Sequence, residues 1–313
     1  MTAIAFDLIG DIHGQAPSLE RLLDELGYRE IDGVYRHPAR RVLFVGDFID
    51  GGAHQRRVIS IARAMVENNS ALAVMGNHEF NALAYGTDDG QGGWLRPHTD
   101  KNARQSAAFL QAFPFGSDAY RDVLGWFASL PLWIEEDGLR VVHACWDPVA
   151  MAMLRDKHAG PQMTDELLRR SSTKDSMEFN AVETLLKGKE IPLPEGISFP
   201  DNYGAQRHHM RIKWWDRSAQ SYKALFLGPP AALTHIPDDP VGLDHGLAYD
   251  PEDPPLFVGH YWLRGVPTRL APNVACLDYS IAAGAGGQLV AYRWDGEQAL
   301  DNGKFVAVPW VNA

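Results

Sequence analysis

Residues 41–52, RVLFVGDFIDGG, run from an apolar stretch into two acids, Asp47 and Asp50, set among glycines. A run that ends this way reads as a buried strand whose carboxyl end delivers carboxylates to a crevice, where open α/β sheets keep their chemistry. Working outward, segments 3–9 (AIAFDLI), 71–75 (ALAVM), 139–143 (LRVVH) and 255–258 (PLFV) are also short, mostly apolar and bounded by turn residues. Each reads as a buried strand. Between the first three strands, SLERLLDELG (18–27) places Leu19, Leu22, Leu23 and Leu26 at helical spacing with Gly27 as a stop, and RRVISIARAMVEN (56–68) repeats the pattern. The order β-α-β-α-β predicts a parallel central sheet.

Further along, NARQSAAFLQAF (102–113) reads as a helix with Thr99 as N-cap, and KDSMEFNAVETLLKG (174–188) as another. Residues 148–240 are less regular and read as an insertion over the crevice. VACLDYSIAAGAGGQLVAYRWDGEQ (274–298) reads as two antiparallel strands around a glycine turn. The 313 residues are 45% hydrophobic, enough for a large core. With 29 Lys and Arg against 40 Asp and Glu, the formal charge of −11 disfavours generic nucleic-acid binding. Cys145 and Cys276 are too few for a disulfide framework, and no apolar run approaches the roughly 20 residues that span a bilayer. These features predict a soluble cytoplasmic protein that does not engage a membrane.

Every strand of that set ends on residues able to coordinate a cation. LIGDIHG carries Asp11 and His13, LFVGDFID carries Asp47 and Asp50, AVMGNHE carries Asn77 and His78, VVHACWD carries His143, and LFVGHYW carries His260. Carboxylate, imidazole and amide donors together suit Mn, Fe, Zn, Co or Ni better than Ca or a thiolate-bound ion. They are too many for one ion. Two ions sharing a carboxylate would lie about 3.5–4 Å apart, an arrangement that holds an attacking oxygen and a phosphoryl group together.

The ordered set GDIHG, GDFID, GNHE, VHA and GH resembles the calcineurin-like metallophosphoesterase superfamily, and GNHE with a single final histidine looks most like its branch of phosphoprotein phosphatases and symmetrical diadenosine tetraphosphatases. The resemblance implies a four-layer αββα sandwich with two central mixed sheets, formed as one domain over residues 1–313. It implies two divalent ions, manganese foremost, with Asp11, His13 and Asp47 on the first and Asp47, Asn77, His143 and His260 on the second. Hydroxide between the ions would attack phosphorus, His78 would protonate the leaving oxygen, and Asp50 would orient His78. The implied partner is a phosphorylated substrate: a phosphomonoester on a protein or small metabolite, or alternatively a nucleotide anhydride. A non-catalytic binding module on the same fold is the competing class, disfavoured because every ligand and the Asp50–His78 pair are intact.

Two positions depart from the family pattern. Trp262 stands where many relatives have a second histidine, and Gly51 stands where the branch has a phosphate-gripping arginine. Another cation must take that role, and Arg211 is the first choice, with Arg207 and Arg57 behind it. Arg96, His98 and Lys101 fit either a pocket wall or a solvated helix start. Taken singly, an Asp or Asn beside glycine is a turn former and a histidine is a buried hydrogen-bonding residue; five such junctions in order are not explained that way. His98, His208, His209 and His245 read as surface or hydrogen-bonded residues, Trp214 and Trp215 as packing, and Cys145 as a small core residue.

Overall fold

In chain order the computed structural model, which describes residues 5–136, 138–200, 206–242 and 249–311, begins with β1 (Ala5–Ile9), α1 (Ala16–Leu26), β2 (Arg29–Ile31), β3 (Val34–Arg36) and β4 (Arg40–Phe44). Next come α2 (Gln55–Glu67), β5 (Ala71–Ala73), α3 (Asn77–Gly86), α4 (Asp100–Gln105), α5 (Ala107–Ala112), α6 (Asp118–Ser129), β6 (Trp133–Glu136) and β7 (Leu139–Val142). The 148–240 region holds α7 (Pro148–His158), α8 (Asp165–Ser171), α9 (Met177–Lys187), β8 (Glu190–Pro192), β9 (Phe199–Pro200), β10 (Gln206–Arg207), β11 (His209–Arg211) and α10 (Tyr222–Leu225). The chain closes with β12 (Leu256–Val258), β13 (Val274–Cys276), β14 (Asp278–Tyr279), β15 (Gln288–Trp294) and β16 (Phe305–Pro309). His245, expected at the surface, lies outside the described residues.

Two mixed sheets face each other. In the first, β1, β4 and β5 run parallel in the order the β-α-β-α-β pattern predicts, and β15 pairs antiparallel with β1 on the other side, flanked by β14 and β16. In the second the order is β13-β12-β7-β6, with β12 parallel to both neighbours and β6 antiparallel to β7. Period-two alternation sends Phe6, Leu8, Leu43 and Val45 of the first sheet into one buried cluster with Leu139, Val141, Phe257 and Ala275 of the second. Their opposite faces, Ile9, Val42 and Phe44 on one sheet and Val142, Val258 and Val274 on the other, join the core that holds the helices' apolar stripes. Leu19, Leu22, Leu23 and Leu26 of α1 are all buried there, on the stripe their spacing predicts. The result is the αββα sandwich.

The parallel β1-β4-β5 core read from local pattern is thus part of one of the two mixed sheets that the resemblance implied. The hairpin expected at 274–298 splits: Val274–Cys276 pairs parallel with β12, and after Leu277 the chain crosses to the first sheet, where Asp278 and Tyr279 pair antiparallel with β15. The expected helix over 102–113 breaks at Ser106 into two short ones, although Thr99 caps the first by accepting from the Asn102 N–H. Asp7 has no relative exposure at all in the middle of β1, where it accepts from Arg40 at 2.9 Å, Tyr28 at 3.1 Å and Arg293 at 3.2 Å.

Candidate metal centre

The parallel register sets strand ends level, Ile9 opposite Phe44 and Phe44 opposite Ala73, so the loops that follow emerge side by side. Backbone hydrogen bonds then fasten loop to loop: the Ile12 and His13 N–H groups donate to the Asp47 carbonyl, and Gly52 donates to the His13 carbonyl. Glu79, fully buried on the first turn of α3, accepts from the backbone N–H groups of Asp47 and Phe48 at 2.9 Å and of Gly76 at 3.0 Å. This carboxylate braces the Asp47 loop against the start of α3. Sequence reading gave it no role, although an acid three residues past a helix N-cap is a recognisable capping position.

The motif glycines permit close approach. A Cβ on Gly76 would lie 2.2 Å from Asp47 Oδ1, and one on Gly259 would lie 2.0 Å from Asp11 Oδ1. Neither position tolerates a side chain. His13, Asp47, Asp50 and His260 all adopt positive φ, at 47°, 52°, 66° and 72°. Such left-handed conformations cost on the order of 1–3 kcal/mol each in non-glycine residues, and here they coincide with the predicted site. That strain turns four side chains inward.

All eight residues assigned by motif converge. Asp47 Oδ2 lies 3.3 Å from His143 Nε2, 3.6 Å from His13 Nε2 and 3.9 Å from His78 Nε2. Asp11 Oδ2 is 3.9 Å from His13 Nε2 and accepts from the His260 N–H at 3.0 Å. Asn77 Oδ1 is 2.7 Å from His260 Nδ1 and 3.1 Å from His143 Nε2. His78 Nδ1 is 2.6 Å from Asp50 Oδ2. Two groups of ligand atoms, His13–Asp47–His78 and Asp47–His143–His260, each draw within 4.8 Å and share Asp47.

The donor chemistry fits cations. His13 Nδ1 donates to the Ile49 carbonyl at 2.9 Å and His143 Nδ1 to the Val45 carbonyl at 2.8 Å, so in the neutral rings the Nε2 lone pairs point into the centre. There they meet oxygen lone pairs rather than protons. His13 Nε2 and Asp11 Oδ1 are buried with no hydrogen-bond partner among the described residues. Burial, with Asp278 and Asp47 nearby, raises the Asp11 carboxyl well above its usual range, whereas at Asp47 the neighbouring His143, His78 and His13 overcome burial and hold the carboxyl well below it. Burial alone would depress His78, but Asp47 and Asp50 lift it to about 9.

The arginine candidates separate. Arg57 is taken by Glu20 at 2.7 Å and Glu30 at 3.0 Å, and the structure does not bring it to the ligands. Arg207 and Arg211 line a cavity, and Arg211 is the charge that, after burial, most depresses the His260 ring. Arg96 is a further cation at the site's edge. Its guanidinium donates to Asn81 at 3.0 Å and Gln105 at 2.9 Å, its Nε has no partner among the described residues, and Asp50 is the charge it feels most. It makes no ion pair among the described residues. Trp214 and Trp215 are buried, Trp214 donating to the Tyr261 hydroxyl at 2.8 Å, and Cys145 is fully buried in the core.

The calcineurin-like phosphoesterase family model matches residues 4–246. Over 74 residues the chain is 47% identical to the asymmetrical bis(5'-nucleosyl)-tetraphosphatase PrpE of Halalkalibacterium halodurans, covering 23% of this chain and 30% of that protein. The PrpE of Oceanobacillus iheyensis, named in the same way, is 41% identical over 73 residues, 23% of this chain and 29% of its own. The matched stretch therefore spans under a third of these curated relatives. A solved cold-active protein tyrosine phosphatase shares the fold, with 18% identity, a TM-score of 0.50, and 94% of this chain aligned to 77% of that one. Among the described residues no helix is long and apolar enough to cross a membrane.

Proposed function

This chain belongs to the calcineurin-like phosphoesterase family, and from that premise we propose that it is a binuclear metal-dependent hydrolase of phosphoric esters or anhydrides, acting in the cytoplasm. The observation that carries the reading is the Asp47 carboxylate, which belongs to both groups of ligand atoms. Asp11, His13 and Asp47 would hold one ion, and Asp47, Asn77, His143 and His260 the other, manganese foremost, with Fe, Zn, Co or Ni as alternatives. Two such cations supply Lewis acidity toward a phosphoryl oxygen and lower the pKa of a water nucleophile.

The chain's own residues do the rest. The Ile49 and Val45 carbonyls hold His13 and His143 in the tautomer whose Nε2 faces the centre. His78 keeps its Nδ1 on Asp50, 2.6 Å away, which would leave Nε2 to carry the proton for the leaving oxygen. Arg211 and Arg96 flank the centre as phosphate-binding cations in place of the arginine absent at Gly51.

Two substrate classes use this machinery. Phosphomonoesters need no more than the centre itself. The names of the tetraphosphatase relatives favour a nucleotide anhydride equally. Turnover of p-nitrophenyl phosphate, a phosphopeptide and diadenosine tetraphosphate with manganese tests the reading and ranks the classes; metal-dependent hydrolysis of at least one is expected. No hydrolysis of any of them by the metal-loaded chain would return the protein to the binding-module class.

A further inference from the structure

A cavity of about 640 Å³ is walled by α9 and by β8, β10 and β11. It shares structure with the loops that carry two of the ligands. The Leu185 carbonyl of α9 accepts from Ala144, next to His143, at 2.9 Å. Lys189 donates to Asp147, on the same loop, at 3.2 Å. Gly188 in the cavity wall lies against the Tyr261 hydroxyl, one residue past His260.

The lining is cationic in an acidic protein. Lys187, Lys189, Arg207 and Arg211 face two carboxylates, Glu183 and Glu190, although the chain as a whole carries −11. Glu183 pairs with Lys187. Glu190 sits at 3.4 Å from Arg207 and 3.9 Å from Arg211, distances that leave both guanidinium groups free to turn to a stronger anion. Arg211 Nε is buried without a hydrogen-bond partner among the described residues. With Lys189 paired to Asp147, four cations of the wall meet three carboxylates, a local surplus of positive charge in a chain of net −11 that suits the cavity to a compact polyanion. The volume is far larger than one phosphate needs and falls within the range of small-molecule sites.

Resting on the hydrolase reading, we infer that this cavity binds the phosphate chain beyond the scissile phosphorus, and so suits the protein to nucleoside oligophosphates over simple monoesters. Arg211, Lys187 and Arg207 are the lining cations that would meet these phosphates.

Calorimetric titration of the manganese-loaded full chain tests this with a methylene-bridged, hydrolysis-resistant adenosine triphosphate, with methylenediphosphonate and with orthophosphate. Lys187→Ala combined with Arg207→Ala should weaken the triphosphate analogue about tenfold, the scale of two partly exposed charge contacts, and shift orthophosphate much less. Glu183→Gln should tighten it. Methylenediphosphonate affected in parallel assigns the contacts to phosphates; loss confined to the adenosine compound would overturn the phosphate-chain assignment in favour of a nucleoside pocket. Unchanged affinity in the double variant, or an equal loss for orthophosphate, would also overturn it. Hydrolysis is scored separately: a binding difference without turnover of any ester sinks the hydrolase reading alone, and turnover without a binding difference sinks the cavity assignment alone.

Discussion

One carboxylate oxygen, Asp47 Oδ2, stands within 3.3 to 3.9 Å of three imidazoles that arrive on separate segments of the chain. If it bridges, Asp47→Asn should lower the content of both ions together, read by elemental analysis, and reduce turnover at least about a thousandfold. Loss of a single ion with activity retained would contradict a bridge. His78→Ala should keep both ions and lose about 10²–10⁴ in kcat with alkyl phosphates, and much less with p-nitrophenyl phosphate, whose leaving group needs no proton. In the metal-free chain burial opposes protonation of His78, and Asp47 and Asp50 overrule it, so its stabilising interactions are whole below about 6.5 and are lost as pH rises through about 9. Asp50→Asn should lower that titration, followed by NMR of the ring. The ligands were legible because each follows a short apolar strand, and all but His143 sit beside a glycine, a pattern local to the chain. Arg96 was legible only as a choice between pocket wall and solvated helix start, since its relation to Asp50 depends on how the loop after α3 folds back onto Asn81. Arg57 misleads for the same reason: sequence places it near Asp50, but Glu20 of α1 and Glu30 of β2 claim it first.

At the scale of elements, the centre depends on α3 starting against the Asp47 loop with no side chain between them. Gly76→Ala would place a methyl 2.2 Å from Asp47 Oδ1 and 2.3 Å from its backbone nitrogen. Both belong to the ligand, so relief requires moving it. The variant should lose about 1–3 kcal/mol in chemical denaturation and bind manganese more weakly, the combination that separates it from simple overpacking in a core. On β1, Arg40→Ala leaves the buried Asp7 carboxylate with only Arg293 and Tyr28, and should cost about 3 kcal/mol by the same measurement. Strands and helices were legible where apolar spacing is regular, as in β1, α1, β4 and α2. The second sheet was not, because a buried apolar strand looks the same whichever sheet it enters. Val274 to Leu277 is apolar throughout and bears no mark of the crossing; only Asp278, accepting from the Trp262 and Ser280 N–H groups, shows in the structure where one sheet ends and the other begins.

Over the whole molecule, folding without cations gathers the carboxylates of Asp11, Asp47 and Asp278 in one buried region, where burial pushes Asp11 and Asp278 upward and the neighbouring carboxylates push Asp11 further the same way. The left-handed backbone at His13, Asp47, Asp50 and His260 adds strain at the same place. Cohesion elsewhere, from the sheet-to-sheet core and the helix stripes, must hold this region together until cations offset its charge. Manganese should therefore stabilise the folded chain as a ligand that binds only the native state. At a free concentration a hundred times Kd the gain is about 2.7 kcal/mol for one site, enough to raise the melting temperature by several degrees in a chain of this size. Differential scanning calorimetry with and without chelator measures it directly. The rise should grow with manganese concentration, reverse with chelator and largely vanish in Asp47→Asn. Calcium should reproduce little of it, because imidazole nitrogens supply much of the donor set. A melting temperature indifferent to manganese in the unaltered chain would mean that these side chains meet as a structural hydrogen-bonded cluster and hold no ion.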